Sequence, residues 1–412
     1  MKKKKNLFLV LLLIIFFWIW KDYKKIDLYF VNQSKITYDS QNLNSSFLKK
    51  IDHLYNRSLE NLFVSYINKH KNYWDIDDNQ ERKELPEFKF LEKNNNFTIS
   101  NNNNLNNFSD WPRSHGNNYS NRFSKLKIIN NTNAKNLEVA WIFEMKNHKG
   151  DIQANPIIVN GIIYTPMAGG YIVAINGKTG KLLWKSKKFS PSVARRGLVF
   201  WEGTEKDKAR IIFSNRERLI SLSIEDGTPI DDFGKKGQVR TGLNVTTPVI
   251  YKNNIIIVSW DRAVEVYDLL TGKTKWKLKY KKDIKKRVGG VKFNNAGANS
   301  WGGISADIKR GILYFTTGNP HHYLDGTRRP GNNQYSNSVI AVDLEKRIIK
   351  WSFQETSHDI WNSDLPAPPI LTSIKRNKKK IDVVVVPTKR SNTLILDRLT
   401  GTPIYDFRYR KA

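Results

Sequence analysis

The chain of 412 residues contains no cysteine. That absence excludes disulfide scaffolds, thiolate-held zinc, iron–sulfur clusters and thiol nucleophiles together. Acidic residues are also few. Asp and Glu number 38 against 69 Lys and Arg, a formal net charge of +31. There is no Walker A loop, no His-Glu-x-x-His and no Gly-x-Ser-x-Gly, so the commonest hydrolase motifs are missing. The seven histidines are too scattered for a metal site, and His321, His322 and His358 read as loop or partner-bonded residues. What the chain does have is rings: 12 Trp, 17 Tyr and 20 Phe. That many aromatics require a packed core and argue against a disordered chain.

A positive charge of this size fits nucleic acid, anionic lipid or an acidic small molecule. Lys, Asn and Ile are over-used throughout, however, as in Lys2–Lys5, Asn101–Asn104 and Lys378–Lys380. The excess therefore reads as compositional drift rather than as one polyanion-binding face, and nucleic acid is not an expected partner.

The N-terminus carries a targeting signal. Four lysines precede an unbroken apolar run from Leu7 to Trp20, and Lys21, Lys24 and Lys25 follow it. Fourteen helical residues span about 21 Å, short of the roughly 30 Å hydrocarbon core, a gap that thinning and snorkelling lysines close. No small-residue cleavage site follows, and Trp18, Trp20 and Tyr23 suit an interface, so residues 1–25 are predicted to be an uncleaved anchor with the bulk outside the cytoplasm. Residues 26–108 form a second region. Phe47, Ile51, Leu54, Leu62 and Tyr66 recur at helical spacing behind a candidate cap at Ser46, and an Asn-rich linker follows.

From 109 to 412 the sequence repeats. Five segments share a β-type run, an acidic or amide residue, a turn, and then an aromatic. They run from Tyr171 to Trp184, Leu219 to Phe233, Val264 to Trp276, Val339 to Trp351 and Leu394 to Phe407. Gly180, Gly227 and Gly272 set a period of 47 and then 45 residues, and a long insertion stretches the next interval. Earlier strand candidates lie at Pro156–Thr165, Thr247–Ser259 and Ile381–Val386. A four-stranded unit of this period, in which each aromatic packs on the next unit, is a β-propeller blade.

Particular motifs lie on this scaffold. They are Trp111-Pro-Arg-Ser-His-Gly with Arg122-Phe-Ser-Lys-Leu, Ala194-Arg-Arg-Gly-Leu-Val-Phe-Trp201 and Gly297-Ala-Asn-Ser-Trp301. Tyr314-Phe-Thr-Thr-Gly-Asn-Pro320, His358-Asp-Ile-Trp-Asn-Ser-Asp-Leu-Pro366 and Lys389 with Leu394-Ile-Leu-Asp-Arg398 complete the set. In this order, over about 300 residues, the chain resembles the quinoprotein dehydrogenases, above all their membrane-bound glucose dehydrogenase branch. Taken singly, Trp301 reads as a core wedge, Asn319 as a turn residue, and Arg196 and Lys389 as surface charges. The ordered set carries the resemblance.

The resemblance implies an all-β fold, an eight-bladed propeller of which about five blades are present. It implies oxidation of a sugar or alcohol by hydride transfer to pyrroloquinoline quinone (PQQ), with Ca²⁺ or Mg²⁺. The protein would be anchored in the inner membrane, face the periplasm and pass electrons to membrane quinone. Arg196 would pair a cofactor carboxylate, and Thr246 and Thr247 would donate hydroxyls. Trp301 would stack on the ring system, Asn319 would give its amide oxygen to the cation, and Lys389 would bond the quinone oxygens. Two departures stand out. The family's general base falls on Asn362, which cannot accept a proton, leaving Asp359 and Asp364 as the flanking carboxylates. The sequence also stops at Ala412, where the family continues with about three more blades, so either it is a fragment or a second polypeptide supplies the rest. The metal-ligating glutamate of alcohol-oxidising relatives has no counterpart around Ser259–Arg262. The alternative reading is a non-catalytic propeller that serves as a binding or assembly module, or an inactive fragment.

Overall fold

The computed structural model describes residues 110–124, 126–145, 152–190, 193–281 and 296–405, with the backbone of 285–288 and 291–294. Two compact units are distinguished, residues 1–94 with 288–291, and residues 95–287 with 292–412; the blades belong to the second. The predicted anchor at 1–25 and the whole linker region at 26–108 lie outside the described residues, as does Phe407. Among the described residues no helix is long and apolar enough to cross a membrane.

The described chain is all-β apart from one 3₁₀ turn at Ala134–Asn136. The first antiparallel sheet runs β1 (Ile157–Val159), β2 (Ile162–Met167), β3 (Tyr171–Asn176) and β4 (Leu182–Lys185). The second is β5 (Leu198–Trp201), β6 (Arg210–Ser214), β7 (Arg216–Ser223) and β8 (Gln238–Asn244). The third is β9 (Val249–Tyr251), β10 (Asn254–Ser259), β11 (Ala263–Asp268) and β12 (Thr274–Lys279). A hairpin, β13 (Lys285–Val288) and β14 (Val291–Asn294), occupies the predicted insertion. The fourth sheet is β15 (Ile304–Asp307), β16 (Ile312–Thr316), β17 (Ser338–Asp343) and β18 (Ile348–Gln354). The fifth has three described strands, β19 (Ile370–Arg376), β20 (Lys379–Pro387) and β21 (Thr393–Asp397). Five blade units therefore follow in sequence, each a simple meander.

Their cores lie between the sheets. Along β6, Ile211 and Phe213 pack toward the first sheet, while Ile212 packs toward the third. Residues of alternate parity thus serve two different cores, which is why these strands read as continuous apolar runs. The first strands β1, β5, β9, β15 and β19 neighbour one another in order. Along them runs the segment that opens the region. Trp111 pairs with Ile158, Arg113 with Val199, Asn118 O accepts from Ala306 N, and Tyr119 O accepts from Leu371 N. Nine residues, Trp111 to Tyr119, thereby touch the first strand of four sheets, and Asn118 Nδ2 reaches the remaining one at Ile250 O, 3.1 Å away.

The repeated turns join the third and fourth strands. Gly180 N donates to Asn176 O at 2.8 Å, Gly272 N to Asp268 O at 2.9 Å, and Gly401 N to Asp397 O at 2.9 Å. The side-chain oxygen of the first residue caps the turn amides, as Asp268 Oδ1 does for Leu270 N and Thr271 N. The closing residue has a φ near +70°, where glycine is unstrained; in the fourth unit Arg347 takes that place at +58°. Each turn receives the preceding aromatic. A Cβ on Gly227 would stand 2.5 Å from Trp184 Cε3, and Trp184 Nε1 donates to Ile224 O at 2.8 Å. Trp351 does the same on Gly401, bonding Arg398 O at 3.1 Å. Trp276 meets Arg347 instead, with the guanidinium 5.7 Å from its ring.

Candidate functional site

In an antiparallel meander the start of the first strand and the end of the second fall at the same end of the sheet. The tight turns occupy the opposite end. The predicted residues follow this rule. Arg196, Thr247, Trp301 and Asp364 precede β5, β9, β15 and β19, whereas Asn319 and Lys389 follow β16 and β20. Sequence positions far apart are thus delivered to one end of the blades.

Trp301 is the centre of the arrangement. The Arg196 guanidinium carbon lies 5.1 Å from its ring centroid and Lys389 Nζ lies 6.0 Å from it. The indole Nε1 donates to Asp364 Oδ1 at 3.2 Å, which fixes the ring plane. The same oxygen accepts from Asn319 N at 2.9 Å, and Asp364 Oδ2 lies 2.9 Å from Lys389 Nζ. Lys389 also donates to Asn362 O at 3.3 Å. Gly318 allows this close approach, because a Cβ there would collide with Asp364 Oδ1 and stand 2.9 Å from Trp301 Nε1. Arg196 has a lowered pKa, from burial first and Arg195 second. It remains a cation at neutral pH, since guanidinium deprotonates only far above that range.

Asn362 Oδ1 accepts from Asn319 Nδ2, so these two amides are joined. Asn319 Oδ1 is left buried with no partner, as is Arg196 Nε. An unpaired buried acceptor suits a cation, and an unpaired buried donor beside an aromatic ring suits an anionic planar group. The residues present therefore fit a carboxylated quinone with a divalent cation.

Other candidates are engaged elsewhere. Thr246 Oγ1 bonds Asn244 Oδ1 at 2.9 Å and Thr247 Oγ1 donates to Arg196 O at 2.6 Å, so both hydroxyls brace the loops around Arg196. Asp359 is buried, and its carboxylate accepts from Trp361 N at 3.0 Å, Ser363 N at 2.8 Å and Asn337 Nδ2 at 3.2 Å. It shapes the loop that presents Asn362 and Asp364. Among the described residues no group of three His, Asp or Glu could hold a metal. Glu265, near the Ser259–Arg262 loop, is tied to Lys277 at 2.9 Å and to Tyr267.

Sequence reasoning missed the central place of Asp364 and passed over His115. The His115 ring is buried, with Arg122 Nη2 3.1 Å from Nδ1. Burial, then Arg113, Arg122 and Arg196, pushes its pKa down to about 2. Arg113 is fully buried, donating to Pro248 O at 2.9 Å, Thr247 O at 3.0 Å and Ile304 O at 2.9 Å. Burial, with Arg122 second, lowers its pKa to about 9. The one signal for His115 was its place in the Trp111–Gly116 motif.

Residues 111–412 match the model of the PQQ glucose/ethanol/alcohol dehydrogenase β-propeller domain. The chain belongs to this family. Quinoprotein glucose dehydrogenase A of Acinetobacter calcoaceticus is 27% identical over 351 residues, 72% of this chain and 44% of that protein. The quinoprotein glucose dehydrogenase of Escherichia coli K12 is 28% identical over 341 residues, 71% of this chain and 43% of that protein. The chain thus spans less than half the length of these relatives. In structure it is similar to the quinohemoprotein alcohol dehydrogenase of Comamonas testosteroni, with a TM-score of 0.59 at 24% identity over 72% of this chain and 48% of that one. That likeness establishes the fold of a PQQ propeller.

Proposed function

We propose that this chain is the propeller portion of a PQQ-dependent dehydrogenase, anchored in the inner membrane and facing the periplasm. It oxidises a sugar or alcohol by hydride transfer and passes the electrons to membrane quinone. The observation that carries this reading is the approach of Arg196 and Lys389 to one indole, Trp301, with the unpartnered oxygen of Asn319 beside it.

PQQ supplies an ortho-quinone hydride acceptor, and its divalent cation, Ca²⁺ or Mg²⁺, a Lewis acid. Around them the chain's own groups divide the work. Arg196 would bind a carboxylate through Nε, and Trp301 would set the plane by stacking. Asn319 Oδ1 would ligate the cation. Lys389, held in place by Asp364, presents a positive charge where negative charge grows during reduction. Asn362 cannot take the substrate's hydroxyl proton. The carboxylate at hand is Asp364, and its Oδ2, beside Lys389, is the proton acceptor in this reading.

Asn362 also favours a second reading, a non-catalytic propeller that serves as a binding or assembly module without the cofactor. Titrating the full chain with PQQ and Ca²⁺, then assaying dye reduction with aldoses and alcohols, separates the two. Metal-dependent binding with turnover supports the dehydrogenase; binding without turnover, or no binding, leaves the non-catalytic module.

A further inference from the structure

Two buried donors near Trp301 have nothing to bond. They are His115 Nε2 and Arg196 Nε. The two residues lie close together. Arg196 bears electrostatically on His115, and Gly197, next after Arg196, packs on Ser114, next before His115. On its other side His115 approaches the Trp301 loop, where a Cβ on Gly303 would stand 3.6 Å from Nε2.

The second nitrogen of the imidazole fixes where its proton sits. Nδ1 lies 3.1 Å from Arg122 Nη2, and a guanidinium only donates, so Nδ1 is the acceptor. The ring is neutral, held so by burial and by Arg113, Arg122 and Arg196. Its single proton is therefore on Nε2. The side chain is only 7% exposed, so this N–H is almost wholly shielded from water. None of the three arginines forms an ion pair with a carboxylate among the described residues. Two unbonded N–H groups in a positive field, beside an aromatic face, call for a planar acceptor with negative charge. A carboxylate offers two oxygens and four lone pairs for two such donors.

Resting on the function proposed above, we infer that His115 Nε2–H and Arg196 Nε–H together bind one carboxylate of the quinone cofactor, so that His115 is a cofactor-binding residue of this chain. A neutral imidazole suits this place. It adds a hydrogen bond without a fourth cation next to three guanidiniums.

The test uses the full chain and PQQ, with binding followed by quenching of tryptophan fluorescence. His115→Leu removes the donor at similar volume, and His115→Gln returns an N–H at similar reach. His115→Leu is expected to weaken PQQ binding about tenfold or more, as loss of a hydrogen bond to a charged group does. His115→Gln should recover most of it. If wild type binds PQQ and His115→Leu binds equally well, or if both variants are equally weak, the inference is overturned while the proposed function stands. If wild type does not bind PQQ, that function fails and this inference with it. A readout without variants is the Nε2–H resonance of ¹⁵N-histidine-labelled wild-type protein. It should move downfield when PQQ is added, and an unmoved resonance in the PQQ-bound protein overturns the inference.

Discussion

Asp364 Oδ2 lies 2.9 Å from Lys389 Nζ, while the other oxygen of the same carboxylate holds the Trp301 indole nitrogen. One side chain thereby sets both the cation and the ring plane of the site. It stands two positions beyond Asn362, whose own side-chain oxygen is bonded to Asn319.

Replacing Asp364 by Asn keeps an oxygen for Trp301 Nε1 and Asn319 N but removes the charge. The fold should tolerate this, because Lys389 is 39% exposed and such pairs are worth about 0–1 kcal/mol. Turnover should fall by about 10²–10⁴-fold, the usual contribution of a positioned base. Steady-state rates with unchanged melting temperature are the check. In Asn362→Asp, a carboxylate at the family's base position should raise the rate above wild type.

Gly318→Ala tests the close approach at the centre of the site. Its methyl group collides with Asp364 and crowds Trp301, so one of the two must shift. PQQ affinity should drop by about tenfold, the scale of a lost charge-assisted hydrogen bond. Binding that equals wild type would mean that the indole plane does not depend on this contact.

The inter-blade wedge predicts an ordering of stabilities. Gly227 and Gly161 have nearly the same φ, +72° and +74°, yet a Cβ on Gly227 meets Trp184 and one on Gly161 meets nothing within 4 Å. Gly161→Ala should cost about 1 kcal/mol, the backbone strain alone. Gly227→Ala should cost about 1–3 kcal/mol more through overpacking, and Trp184→Ala about 3 kcal/mol through lost packing and the bond to Ile224 O. Urea midpoints rank the three, and equal losses for the two glycines would contradict the wedge.

His115 gives the fold a pH dependence with a definite sign. Its pKa is about 2 folded against an ordinary 6.5, so between these values the unfolded chain binds a proton that the folded chain does not. Stability is therefore greatest above pH 6.5 and falls on acidification, by about 1.4 kcal/mol per pH unit while the folded ring stays neutral. Denaturation at pH 7 and pH 5, compared between wild type and His115→Gln, isolates this term. Parallel pH slopes would mean that the folded imidazole is charged.

The repeat was legible because its parts are local. A turn of five residues that ends near φ +70° selects Asp, Asn or Ser first and, in four of the five units, Gly last, and Trp184, Trp276 and Trp351 each follow such a turn by four positions. Even the exception in the fourth unit keeps this geometry, with Arg347 in the left-handed region and a cation over Trp276 in place of a wedge on glycine. Asp359 and Asp364 could not be told apart in this way. They lie five positions apart in one motif, and both are buried acids. One accepts the amides of its own loop, and the other reaches across to a different sheet.

The amino-acid order alone thus determined the propeller architecture, its period and the family, and it singled out Arg196, Trp301, Asn319 and Lys389 as candidates. Each of these rests on short-range pattern or on a motif read in place. Tertiary structure alone decided which side chains face one another. It turned the hydroxyls of Thr246 and Thr247 to protein acceptors, brought Asp364 to Lys389, and left His115 with an unpaired N–H. Those outcomes depend on loops from several sheets meeting at one end of the blades. Their hydrogen bonds join residues up to 191 positions apart, beyond the reach of any local pattern.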